Sequence, residues 1–170
     1  MTQTVKVRTA LPGDYGRVLE LNADALPNVN RISDDDLQQL AAQACAFLVA
    51  ELDGRVQGFL LALSEGQDYA SLNYRWFTSR YPRFVYVDRL VVAPEQRGLG
   101  LGRQLYACLF AASGESAPGV ACEVNVQPPN PGSLRFHAGL GFHAVGEHST
   151  EGGRKRVQLM WRPFPNGDLS

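Results

Sequence analysis

Hydrophobic and polar positions change period several times along the chain, and each change marks an element. Val5 to Arg8 alternates apolar and polar, the period-two pattern of a strand. Pro12-Gly13-Asp14 opens a helical stretch through Leu21, with Asp14 placed to cap it. Leu26 to Arg31 breaks the pattern with its Pro and Asn content. Ser33 precedes Asp34, Asp35 and Asp36 and an apolar stripe of Leu37, Leu40, Ala41 and Ala44. This predicts a second helix, capped by Ser33, with its acids at the positive end of the dipole. Phe47–Leu52 and Val56–Leu63 read as strands joined by Asp53-Gly54, a two-residue hairpin turn.

Ser64 to Pro82 is longer than most connections and carries Tyr69, Tyr74, Trp76, Phe77 and Tyr81. Two readings are open: a binding loop, or a short amphipathic helix that packs its aromatics on a sheet. Phe84–Val92 is a strand, ended by Pro94. From Leu101 the residues Leu101, Leu105, Cys108, Leu109 and Ala112 fall on one helical face, to about Ala112. Ser113–Pro118 is a loop, and Val120–Val126 a strand stopped by Gln127-Pro128-Pro129. Gly132–Ala138 is a short helix ending in Gly139 or Gly141. Phe142–Glu147 and Arg154–Trp161 form a last hairpin around Glu151-Gly152-Gly153. Without repeats or a linker, residues 1–170 are expected to form a single α/β (α+β) domain with a mixed, mostly antiparallel sheet flanked by helices.

Composition narrows the function classes. Hydrophobic residues make up 45% of the 170 and charged residues 19%, the balance of a soluble globular chain. A formal net charge of −1 gives no electrostatic case for nucleic acid or an anionic membrane. No apolar run reaches membrane-spanning length, and the N-terminus carries no signal-peptide pattern. Cys45, Cys108 and Cys122 are odd in number and read as reduced core thiols, so a cytoplasmic location is expected. No metal is expected: no Cys/His pair has ligand spacing, and His137, His143 and His148 fit no ligand motif. The acids at 34–36 read as a helix start.

The junction after Val92 carries candidate chemistry. Gly98, Gly100 and Gly102 alternate just ahead of a helix. Without Cβ atoms they admit a ligand close to the backbone, and the first helical N–H groups have no intrahelical partner. Together these make a socket for phosphate or pyrophosphate. No Lys follows, so the loop is not a P-loop. The Gly-x-Gly-x-Gly spacing weakens a dinucleotide fingerprint, although Glu123 lies near that motif's acid offset.

Arg97-Gly98-Leu99-Gly100-Leu101-Gly102 resembles the Arg/Gln-x-x-Gly-x-Gly/Ala acetyl-CoA motif of the GNAT superfamily of N-acetyltransferases, and Leu90-Val91-Val92-Ala93-Pro94 before it is similar too. Downstream, Asn130-Pro131-Gly132-Ser133-Leu134-Arg135-Phe136-His137 with Gly141-Phe142 resembles the family's Asn-x-x-Ala-x-x-aromatic-Tyr segment and its closing Gly-Phe. The two matches cover roughly residues 84 to 145. The resemblance implies a GNAT-like fold whose splayed strands form the acetyl-CoA cleft. It implies that backbone at Leu90, Val91 and Val92 pairs with the pantetheine arm, and that amides from Arg97 to Arg103 hold the pyrophosphate. Arg97 and Arg103 would add charge, and Asn130, Ser133, Phe136 and His137 would complete the cofactor side. For Asn130 a helix N-cap fits equally well.

Removing a proton from an amine of pKa about 10.4 at pH 7 costs about 4.6 kcal/mol. Asp88, a lone acid in an apolar strand, is the first candidate base and Glu123 the second; an ion pair with an Arg is the structural alternative for either. His137 stands where the family usually has the Tyr that protonates the leaving thiolate. It is the candidate acid, with Tyr86 and Tyr106 as substitutes. Tyr69, Tyr74, Trp76, Phe77 and Tyr86 are candidate acceptor contacts, and Leu26–Arg31 is the second acceptor-side loop. The expected activity is transfer of the acetyl group of acetyl-CoA to a small-molecule primary amine, by direct attack in a ternary complex. A protein or peptide N-acetyltransferase, a non-catalytic acyl-CoA-binding module and another phosphate-binding domain remain open. The expected partners are the amine and, in a homodimer, a second copy of the chain.

Overall fold

The computed structural model describes residues 3–165. Its strands are β1 (Val5–Thr9), β2 (Ala46–Leu52), β3 (Arg55–Ser64), β4 (Val85–Val92), β5 (Gly119–Gln127), β6 (His143–Thr150) and β7 (Lys155–Pro163). Its helices are α1 (Tyr15–Asp24), α2 (Asp34–Gln43), α3 (Leu72–Thr78), α4 (Leu101–Ser113) and α5 (Pro131–Gly139). The strands form an open seven-stranded sheet in the order β1-β2-β3-β4-β5-β7-β6. β4 pairs with β5 in parallel, through Val85 with Val120 and Tyr86 with Ala121. The pairs β1–β2, β2–β3, β5–β7 and β6–β7 are antiparallel. The sheet is therefore mixed and mostly antiparallel.

The described residues pack as two compact units: 3–63 with Asp88–Ala112, and Ser64–Val87 with 113–165. In the first, Asp53 and Gly54 take φ of 52° and 83°, the left-handed pair that a two-residue hairpin needs. β3 is buried from Val56 to Leu63, which is why it reads as an unbroken apolar run rather than an alternating one. Val18 and Leu21 of α1, Leu37 and Leu40 of α2, and Leu101, Leu105 and Leu109 of α4 complete this core. Ser33 caps α2 as its sequence predicts, its hydroxyl accepting from Asp36 N at 3.0 Å. Asp14 does not cap α1. Its carboxylate accepts two bonds from Arg8, at 2.8 and 2.9 Å, and one from Leu11 N. The Arg8 bonds hold it below the usual carboxylate range. On α4, Tyr106 is buried while Cys108 and Ala112 face solvent. Cys45 is exposed as well, so only Cys122 is a core thiol.

In the second unit the aromatic stretch contains α3, which corrects any reading of Ser64–Pro82 as loop throughout. Tyr74 and Phe77 pack edge-on or tilted against Phe84 and Tyr86, with centroids 5.5 to 6.2 Å apart. Trp161 of β7 stacks on Tyr81 at 4.2 Å. Gly119 makes room for that indole: a Cβ there would meet Trp161 Cζ2 and lie 2.7 Å from Arg162 O. His137 is the buried residue of α5, 6% exposed and flanked edge-on by Phe136 and Phe142. Its Nδ1 lies 2.8 Å from Ser133 O. A carbonyl only accepts, so Nδ1 carries the proton in that bond. Burial lowers its pKa below the ordinary histidine value, partly offset by the Ser133 bond.

Gly119→Ala should destabilise the protein by about 1–3 kcal/mol, read as a lower urea midpoint with unchanged slope. The lowered His137 pKa means that the unfolded chain binds more protons below about pH 6.5. Its contribution is complete above that pH and is lost as pH falls toward the folded-state value. His137→Gln should flatten the stability–pH curve below pH 6.5 by up to about 1.4 kcal/mol per pH unit, measured by urea titrations at several pH values.

Candidate active site

In the first unit, β4 runs into the glycine loop and α4. Ala93 N donates to Gln57 O at 2.8 Å, which fixes the β3 side of β4. Peptide groups alternate along a strand, so Val91 also faces β3; its carbonyl lies 3.1 Å from where a Cβ on Gly58 would sit. The N–H groups of Leu90 and Val92 point away from β3 and are the ones placed for a ligand. Gly98 and Gly100 take φ of 83° and 82°, with nothing within 4 Å of an added Cβ. Arg97, Gly98, Leu99 and Gly100 are exposed, as is Arg103. Leu99 stands out at 46% exposure, large for an apolar side chain. Gln104 N donates to Gly100 O at 3.0 Å, closing the first turn of α4. The preceding amides of Leu101, Gly102 and Arg103 have no intrahelical acceptor, and the dipole is positive there. Open space, left-handed glycines and outward amides fit a pyrophosphate.

Asp88 is not presented as an open carboxylate. Its side chain is 4% exposed and its Oδ2 accepts from Arg89 Nε at 2.8 Å, the ion-pair alternative for this residue. Arg89 is itself buried and donates through Nη1 to Asn22 Oδ1 at 2.9 Å and Asn30 O at 3.0 Å.

In the second unit, Glu123 of β5 is half-buried and accepts from the Tyr86 hydroxyl at 2.6 Å. Such a short bond to a carboxylate is charge-assisted. Tyr86 is fully buried, so the phenol arrives from the core side and fixes one carboxylate oxygen. Asn130 caps α5, its Oδ1 accepting from Ser133 N at 3.4 Å. Ser133 Oγ lies 3.3 Å from His137 Nδ1, so this turn is tied to itself. Phe136 is half-buried. Of the aromatic candidates, Tyr74, Phe77 and Tyr86 are core, while Tyr69 and Trp76 are half-buried. Arg80 lies over the Trp76 indole at 3.9 Å.

Two features escaped the pattern of the sequence: the Arg89 cluster and the Tyr86–Glu123 bond. A signal for the first was present. Asn22 follows Leu21 and lies four residues after Val18, on the apolar face of α1, where a polar residue needs a partner. Among the described residues no group of His, Cys, Asp and Glu is arranged to hold a metal ion, and no helix is long and apolar enough to cross a membrane.

Residues 16–142 match the acetyltransferase (GNAT) family. The chain is 35% identical over 129 residues to phosphinothricin N-acetyltransferase of Alcaligenes faecalis, covering 73% of this chain and 59% of that protein. It is 27% identical over 128 residues to a UPF0039 protein of Synechocystis sp., covering 74% of this chain and 79% of that one. Among solved structures it superposes on Ard1 from Thermoplasma volcanium with a TM-score of 0.76 at 18% identity, over 94% of this chain and 97% of that chain. Arabidopsis thaliana NAA60 in complex with acetyl-CoA gives 0.75 at 18% identity, over 94% and 99%. These two likenesses show the fold, and the family match covers most of the chain. The protein belongs to the GNAT acetyltransferase family, and is an acyltransferase.

Proposed function

We propose that this acetyltransferase moves the acetyl group of acetyl-CoA to the primary amine of a small molecule, by direct attack in a ternary complex. The observation that carries this is a half-buried carboxylate, Glu123, held at one oxygen by the buried Tyr86 hydroxyl. The pair is a proton acceptor of fixed orientation. The relative named phosphinothricin N-acetyltransferase supports a small acceptor.

Bound acetyl-CoA supplies an acyl thioester whose C–S bond breaks as the acceptor nitrogen bonds to the carbonyl carbon. The amides of Leu101, Gly102 and Arg103, with Arg97 and Arg103 as cations, hold the pyrophosphate. The outward N–H groups of Leu90 and Val92 hold the pantetheine arm, and one of them polarises the thioester carbonyl. Glu123 takes the proton of the acceptor's ammonium, and Tyr86 keeps the carboxylate aimed. The neutral His137 ring offers no proton at Nε2 while Nδ1–H is held by Ser133 O. We assign it to shaping α5, and the proton of the leaving thiol to water. Tyr69 and Trp76, the half-buried aromatics, face the acceptor's apolar body, and Tyr74 and Phe77 back them.

A thiol-release assay over arylalkyl amines, amino acids, polyamines and a free-amino peptide decides the acceptor class. An arylalkyl amine or amino acid should give the highest kcat/KM; acetylation confined to the peptide would overturn the small-molecule assignment. Gly100→Asp should weaken CoA binding at least about tenfold more than Gly100→Ala, which carries the same left-handed strain without the charge. Equal titrations of the two variants would remove the loop from the pyrophosphate site. Glu123→Gln should lower kcat about 10²-fold at neutral pH and recover in part as pH approaches the amine pKa. A pH–rate profile identical to wild type rejects Glu123 as the base.

A further inference from the structure

Arg89 sits where three segments of the first unit meet. Its Nε bonds Asp88 on β4, and its Nη1 bonds both Asn22 Oδ1, in the last turns of α1, and the Asn30 carbonyl, in the loop that follows. Asn22 Nδ2 donates to the same Asn30 carbonyl at 3.0 Å, so side chains from α1 and β4 converge on one loop oxygen. The far end of the loop feels the same charge. Asp36, in the first turn of α2, is held below the usual carboxylate range first by the Ser33 backbone and hydroxyl bonds, with Arg89 adding to it. One guanidinium therefore bonds both the helix before the loop and the loop itself. Arg89 and Asp88 side chains are 5% and 4% exposed, so water does not compete for these bonds.

We propose that Arg89, braced by Asp88 and Asn22, is a positioning residue that fixes the α1–α2 loop, residues 25–33, for acceptor binding. This rests on the proposed acetyl transfer to an amine and on the reading of Leu26–Arg31 as an acceptor-side loop, which the resemblance to the family implies. Asp88 then serves the brace and not proton transfer: its charge keeps Arg89 buried, and Arg89 fixes the loop. The strand that offers Leu90 and Val92 to the thioester is thereby tied, through the adjacent residue, to the loop that receives the amine. The acceptor's affinity depends on the brace, and that of acetyl-CoA does not.

Two variants on different elements test the brace. Asn22→Ala removes the α1 anchor and leaves the ion pair; Asp88→Asn removes the charge that balances Arg89. Should Asp88→Asn fail to fold, the double variant Asp88→Asn/Arg89→Met, which buries no lone charge, takes its place. Amide hydrogen exchange of the chain without ligands should show about tenfold or greater loss of protection at Ala25, Leu26 and Asn28, with the β2–β3 amides unchanged. With 2-phenylethylamine as the acceptor probe, KM for the amine should rise about tenfold in both variants, while KM for acetyl-CoA stays within about twofold. Unchanged exchange in the loop overturns the brace. So does a kcat loss at Asp88→Asn with no effect at Asn22→Ala, which would return Asp88 to proton transfer. If the wild type does not turn over this amine, the acceptor assignment is what fails, and the exchange experiment still decides the brace.

Discussion

Taking a guanidinium out of water leaves five N–H donors to satisfy and a charge to balance. Effective penalties run to several kcal/mol per buried ion, and an attraction repays them only where the hydrogen bonds are good. Arg89 places three of these donors on a carboxylate, a side-chain amide and a main-chain carbonyl, and the carboxylate balances its charge. Each partner comes from a different segment, so the arrangement forms only when β4, α1 and the following loop are all in place. Losing Asp88 strands a charge in the interior, and losing either neutral acceptor costs a buried donor one bond, which makes the first unit intolerant of small shifts there. Asn22 thus does in the interior what Asn does at turns: it presents a neutral dipole that can be exact in direction without adding charge.

The second unit solves a related problem with aromatic packing. Tyr86 has its ring among Tyr74 and Phe77 and its hydroxyl on Glu123. The ring contacts set the depth of the phenol, and the phenol sets one oxygen of the carboxylate. Helix α3 is thereby connected to the orientation of Glu123 without touching it, since Tyr74 and Phe77 form the wall against which Tyr86 rests. The same unit spends Gly146 on a close approach to the Trp76 indole, where a Cβ would lie 2.7 Å from Cζ2.

What was legible in the sequence is what depends on near neighbours. The Asp53-Gly54 hairpin, the Ser33 cap and the glycine loop follow from the backbone freedom or hydrogen-bonding reach of a few adjacent residues. The strands were legible because alternation and β-branching report burial locally. The α4 stripe was placed partly wrong because Cys108 and Ala112 are small enough to be indifferent to solvent, whereas Tyr106 buries a large ring. Asp88 looked like an open acid because its partner's own anchors lie far off: Asn22 is 67 residues from Arg89. Glu123 and Tyr86 are 37 residues apart, and nothing in either strand alone announces their bond. Likewise α3 hid among aromatics that suit a pocket wall as well as a core.

Gly98 and Gly100 have a stereochemical consequence. Their φ values of 83° and 82° belong to the mirror-image half of backbone space, and the direction a Cβ would take is empty in both. An L side chain is opposed there by its own backbone and not by its surroundings. The handedness of the building block, rather than its bulk, is what restricts these positions to glycine. A D-alanine introduced by chemical ligation inverts that relation: the same φ becomes its ordinary one, and its methyl enters open space. The unfolded chain would have fewer conformations to lose, a gain of the order of 0.4–1 kcal/mol for a compatible replacement of glycine. The glycine loop of this enzyme is thus a place where the genetic code, limited to one hand, leaves stability unused.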